Sequence, residues 1–240
     1  MVDAQTWIEF IRSAGERIAR VAPTDLDATV PTCPDMTVRD LVGHTAKLCN
    51  WMGKIVTTGQ AQAPVFTAGD DPVTSHTQEL EGLIAALTSG DPDADGWAWG
   101  SDQHRRFWYR RAAQELVIHS WDIENTVGDP LPIDPQIAAD GIDEYVQEFG
   151  PSNWFMKGAA ELYDRPGTRI TFDASDVGTS WTLVMGEKDV ELADGDGSDV
   201  TASGTASDLL LFIWGRITPD ALDADGDRSL LDRWRDRVKI

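Results

Sequence analysis

The chain is poor in cysteine, with only Cys33 and Cys49 in 240 residues. Two are too few for a disulfide framework, and their spacing is not that of a paired zinc motif. Histidine is equally scarce, at four residues, so each one in a patterned position carries information. Twenty Lys and Arg stand against forty-one Asp and Glu, a formal charge of -21. Such a balance argues against a nucleic-acid surface or an anionic membrane as partner. No run is long and apolar enough to span a bilayer. The opening Met1-Val2-Asp3-Ala4 places an acid at position three and lacks the apolar segment of a secretory leader. There is no internal repeat and no low-complexity linker. These absences lead us to expect a soluble, reducing, cytoplasmic setting.

What is present is an ordinary hydrophobic fraction, 41%, in a chain long enough for one large domain or two small ones. Much of the negative charge lies in Asp-Gly stretches such as 91–96, 194–199 and 223–227, which read as solvated loops. Over residues 1–150 the apolar residues recur at helical spacing. Trp7, Phe10, Ile11 and Ile18 define a first helix over 3–21, closed by Pro23. Thr37 with Asp40 three residues later resembles a capping box, opening a helix that carries Leu41, Val42, Leu48, Met52 and Ile55 to about Gly59. A third helix is expected near 76–89, a long fourth over 103–127 stopped by Gly128, and a fifth over 136–149. After Gly150-Pro151 the period changes to two, at 168–174, 180–184 and 188–192, followed by helices at 207–217 and 229–238. The expected architecture is α+β: an antiparallel four-helix bundle in residues 1–150 and a smaller α+β domain in 151–240.

One constellation stands out. Glu115 and His119 are four apart in the fourth helix, so they stack about one turn apart on one face. Alone, Glu-x-x-x-His reads as a surface ion pair. Here Leu116, Ile118 and Trp121 surround it, and buried charges need a partner or a metal. His44 lies on the same side of its helix as Leu41 and Leu48, facing the bundle interior. His44, Glu115 and His119 would give three protein ligands and an open fourth position, the arrangement of a catalytic zinc site. His104 is eleven residues before Glu115, roughly 16 Å along the axis at the helical rise, and cannot share the ion. His76 is expected to be a surface or capping residue. Asp91 to Asp102 follows the order of an EF-hand loop, but its twelfth residue is Asp rather than Glu, and an acidic turn explains it better. Cys49 is a small buried hydrophobe by position.

The segments 30–44 (VPTCPDMTVRDLVGH), 107–124 (FWYRRAAQELVIHSWDIE), 204–216 (GTASDLLLFIWGR) and 226–231 (GDRSLL) together resemble the mycothiol-dependent maleylpyruvate isomerase family. The chain departs from the family pattern at Asp35-Met36, Gln114 and Ser120, positions expected near the mouth of the site. The resemblance implies a DinB-like helical bundle holding a divalent metal, usually zinc, on His44, Glu115 and His119. It also implies a C-terminal domain that contributes a cofactor-binding arginine, for which Arg216 is the match. The plainer role for Arg216 is a cation at a helix C-terminus. The implied chemistry uses a low-molecular-weight thiol, mycothiol, in cis–trans isomerisation of a maleylpyruvate-like substrate. Thiolate addition makes the double bond rotatable, and elimination returns the thiol. Asp122 and Glu124 are candidates to orient a ligand from behind, with a surface position the equal alternative for either. The same ligands would serve a mycothiol S-transferase, and a non-catalytic protein stapled by its metal is the alternative from another class. The expected partner is a small electrophile, acting on a monomer or weak homo-oligomer.

Overall fold

The structure is a computed structural model, and it describes residues 2–67, 69–128, 130–150, 165–186, 190–193 and 197–237. The chain divides into two compact units, residues 1–131 and 132–240.

The first unit is helical. Helix α1 (Ala4–Ala19) is capped by Asp3, whose side chain accepts from the Thr6 amide. A short hairpin, β1 (Thr29–Val30) and β2 (Cys33–Thr37), delivers the chain to α2 (Val38–Thr58). The capping box read from Thr37 and Asp40 is formed: each backbone N–H bonds to the other residue's side chain, at 2.9 and 3.2 Å. Helix α3 (Pro72–Thr88) begins four residues before the expected start, because Asp71 caps it and Pro72 takes the first helical position. Helix α4 (Arg106–Val127) ends at Gly128, whose φ of 92° is a left-handed conformation that glycine adopts without a Cβ clash.

Helix α1 packs on α3 and α4, and α2 packs on the same two, which closes a four-helix bundle. Its core is the set of periodic residues: Ile11, Ile18, Leu41, Val42, Met52, Leu83, Leu87, Ala112 and Leu116 are all buried. Cys49 is buried among them. No helix among the described residues is long and apolar enough to cross a membrane.

The second unit opens with α5 (Pro135–Glu144), which continues as a π-helical turn over Tyr145–Phe149. Periodicity groups this segment with the helices before it. Its packing is with later elements: α5 lies against α6 (Ala206–Ile213), and the Tyr145 and Phe149 rings meet Trp214 edge-on at 5.6 and 5.0 Å. The sheet runs in the order β5-β4-β3-β6-β7, from β3 (Arg169–Ala174), β4 (Thr179–Met185), β5 (Val190–Leu192), β6 (Val200–Gly204) and β7 (Asp223–Gly226). The β3-β4-β5 part is an antiparallel meander, β6 joins β3 in parallel, and β7 is antiparallel to β6. Alternation puts Ile170, Phe172, Ala174, Trp181, Leu183 and Met185 on the buried side. Helix α7 (Ser229–Arg237) adds Leu230, Leu231 and Trp234, with Trp234 edge-on to Phe172 at 5.4 Å. Residues 188 and 189 of the expected third strand, and Val238 at the expected end of the last helix, lie outside the described residues.

Candidate metal centre

The site arises where α2 and α4 meet. His44 comes from the second turn of α2, and Glu115 and His119 stack along α4. One donor atom from each lies within 4.8 Å of the other two, the one such group of three acid, His or Cys donors among the described residues. The two imidazoles stand edge to face with centroids 5.2 Å apart, and His119 Nε2 lies 3.4 Å from Glu115 Oε2.

Each donor on α4 is held from behind. His119 Nδ1 donates to Asp122 Oδ2 at 3.1 Å, which turns Nε2 towards Glu115. Asp122 is fully buried and accepts from the Thr32 hydroxyl on its other oxygen at 2.6 Å, so the turn of the β1–β2 hairpin fixes the carboxylate. A carboxylate behind an imidazole is the usual support of a metal-bound histidine. Arg111, one turn before Glu115 and buried, reaches Glu115 Oε1 at 3.1 Å.

The electrostatics follow from these contacts. Burial pushes the Glu115 carboxyl up, but Arg111 and the two imidazoles outweigh it and hold the group well below the usual carboxylate range. Burial pushes His119 down, yet its bonds to Asp122 and Glu115 prevail and raise it. His44 is pushed down to about 4, first by burial and then by its neighbour His119. His44 is therefore neutral at physiological pH, the form that ligates a metal. Two imidazoles and one ionised carboxylate, oriented by a buried acid and a buried guanidinium, are a donor set that fits a divalent ion such as zinc.

The other candidates fall elsewhere. His76 is fully buried, not at the surface: its Nε2 donates to the Gly15 carbonyl at 3.0 Å, and its Nδ1 lies 2.9 Å from the Thr45 hydroxyl. The early start of α3 carries it into the bundle, where it ties α1, α2 and α3 together. Glu124 does not support the donor set; it is paired with Arg17 across α1 and α4, Nε to Oε1 at 2.6 Å. Gln114 and Ser120 are buried rather than at a mouth, and the Ser120 hydroxyl donates to the Val117 carbonyl. The EF-hand-like loop is committed internally: Arg106 bonds Asp93 and Asp102, both at 2.6 Å, and His104 bonds Asp102. Arg216 belongs to the second unit, just beyond α6, half-buried, with its guanidinium donating to the Trp214 carbonyl at 2.8 Å.

A helical bundle with this donor set, followed by a mixed-sheet unit, defines a class, and comparison with known proteins gives the family. Residues 9–124 match the mycothiol maleylpyruvate isomerase N-terminal domain, and residues 136–233 match the MDMPI C-terminal domain. The chain belongs to the mycothiol-dependent maleylpyruvate isomerase family. It is similar in fold to a crystal structure of the mycothiol-dependent maleylpyruvate isomerase, with a TM-score of 0.62 and 15% identity over 93% of each chain. A histidine-to-alanine mutant of that enzyme matches equally, with TM-score 0.62, 14% identity and 93% of each chain covered. No curated protein sequence matches the chain.

Proposed function

We propose that this protein is a divalent-metal-dependent enzyme that uses mycothiol in the cis–trans isomerisation of a maleylpyruvate-like substrate. The observation that carries the reading is the convergence of His44, Glu115 and His119 donor atoms within 4.8 Å in a member of this family. Zinc is the ion such a set favours, with the fourth position left for a ligand. When bound there, the metal and the thiol supply a nucleophilic thiolate at neutral pH, the reagent that isomerisation by reversible addition requires.

The chain's own residues prepare that chemistry. Asp122 fixes which nitrogen His119 presents, and Arg111 keeps Glu115 ionised. The desolvated His44 stays neutral and so needs no deprotonation to ligate. We assign Arg216 to cofactor binding, with a fixed positive charge and several donors for polar groups of the thiol. We expect the enzyme to work in the cytoplasm, as a monomer or a weak homo-oligomer.

The test is incubation of zinc-loaded protein with mycothiol and maleylpyruvate, followed by chromatography of the products. The proposal predicts the trans isomer with the thiol recovered. Accumulation of a stable thioether would instead make the protein an S-transferase. Absence of both, with no stabilisation by mycothiol, would make it a non-catalytic protein.

A further inference from the structure

A cleft of about 420 Å³ opens beside His44, between the first half of α2 and the chain leading into α3, within the size range of small-molecule sites. Arg39, Gly43, His44, Lys47 and Phe66 are among its walls. His44 is thus shared: it belongs to the donor set and also lines the cleft. Lys47 is three residues beyond His44, so the two are neighbours on one face of α2.

The charges in the cleft are not equivalent. Arg39 is held by Asp27, with Nη2 at 3.2 Å from Oδ1. Asp40 is committed to the capping box. Asp70 is exposed. Half-buried Lys47 is left with no ion pair or hydrogen bond to any described residue, although the chain carries an excess of 21 negative charges. An ammonium one turn from an imidazole ligand also opposes a bound cation through like-charge repulsion. A metal serving structure alone would be better off with an acid at this position. The arrangement makes electrostatic sense when a ligand brings its own negative charge into the cleft.

The geometry points to Lys47 as an anion subsite that takes a carboxylate of the electrophilic substrate, with the reacting carbon on the His44 side of the cleft. This rests on reading His44, Glu115 and His119 as the metal centre. A lysine ammonium is a rotatable point charge and accepts carboxylates in several orientations. Lys47 is therefore a specificity-determining residue that favours carboxylate-bearing electrophiles over neutral ones. Mycothiol, which brings no carboxylate, is not its ligand.

The experiment is isothermal titration of maleate, a small cis-dicarboxylate, into the zinc-loaded and metal-free full chain, with zinc affinity measured on the same preparations. Lys47→Gln should weaken maleate binding about tenfold and leave zinc affinity unchanged or slightly tighter. Arg39→Gln, which removes an exposed cation already paired at the surface with Asp27, should weaken maleate binding less than Lys47→Gln does. Equal maleate affinity in Lys47→Gln and the unaltered protein, or no maleate binding to the unaltered protein, would overturn the inference while zinc binding stands. Failure of the unaltered protein to bind zinc would overturn the metal reading instead. Lys47-dependent maleate binding to the metal-free chain would then still support the subsite.

Discussion

Asp122 accepts a hydrogen bond from His119 Nδ1 at 3.1 Å while its other oxygen holds Thr32 of the hairpin turn at 2.6 Å. A buried acid thereby couples the hairpin to the orientation of an imidazole that faces Glu115. The arrangement costs desolvation of a carboxylate, which hydrogen bonds such as these offset. Its benefit is a single tautomer and ring orientation at the donor set.

Asp122→Asn keeps the shape but leaves one oxygen where two acceptors are needed. Zinc affinity should fall about 10- to 100-fold, read by competition with a chromophoric chelator. Circular dichroism should show the helical content retained. Unchanged affinity would mean that His119 is oriented by something other than this contact.

His76 gives a pH signature that is separate from the donor set. Burial lowers its pKa from the ordinary 6.5, although its bond to the Gly15 carbonyl works the other way. A group depressed on folding favours the neutral form, so its contribution is intact above the unfolded value and is lost as pH falls from about 6.5 towards the folded value. Between those limits the unfolded chain binds the proton that the folded chain refuses. The stability of the unaltered protein should therefore fall more steeply from pH 7.5 to 5 than that of His76→Gln. The difference should reach at most about 1.4 kcal/mol per pH unit, measured by urea unfolding. Parallel profiles would show that His76 is not buried neutral. His119, with its pKa raised, slopes the opposite way in both proteins and cancels in the comparison.

Gly226 ends β7 with φ of 103°, and a Cβ there would lie 2.3 Å from the Asp199 carbonyl oxygen. Both the conformation and the backbone contact exclude a side chain. Gly226→Ala should lower the unfolding midpoint of the second unit, with a loss of about 2 kcal/mol or more. Differential scanning calorimetry with zinc binding followed in parallel checks this, because the donor set lies wholly in residues 1–131 and its affinity should persist.

The donor set is legible in the sequence because helical spacing alone fixes which side chains share a face. Glu115 and His119 stack on α4, and the position of His44 beside Leu41 is a statement about period. Asp122 is visible as a nearby acid, but its burial and its bond to Thr32 depend on the hairpin, which a Pro-containing loop conceals. His76 lies inside rather than at the expected surface, although a signal exists for it. Asp71-Pro72 is a cap followed by a first-turn proline, and starting the helix there puts His76 on the inner face. The β3-β4-β5 meander announces itself through alternation, with every second residue of β3 buried. Strand β7 gives no such sign, because all four residues of Asp223–Gly226 are exposed where it pairs antiparallel with β6. The packing of α5 with α6 is equally hidden, since an apolar helical face does not say which unit it serves.

The most direct test of the account is the zinc stoichiometry and affinity of the purified protein and of His44→Ala, Glu115→Ala and His119→Ala. We predict one zinc per chain in the unaltered protein. Each substitution should weaken binding by at least about a hundredfold while the helical signal is kept. Zinc bound equally well after any one of the three substitutions would contradict the assignment of that residue. Zinc bound equally well after all three would remove the metal centre from this protein.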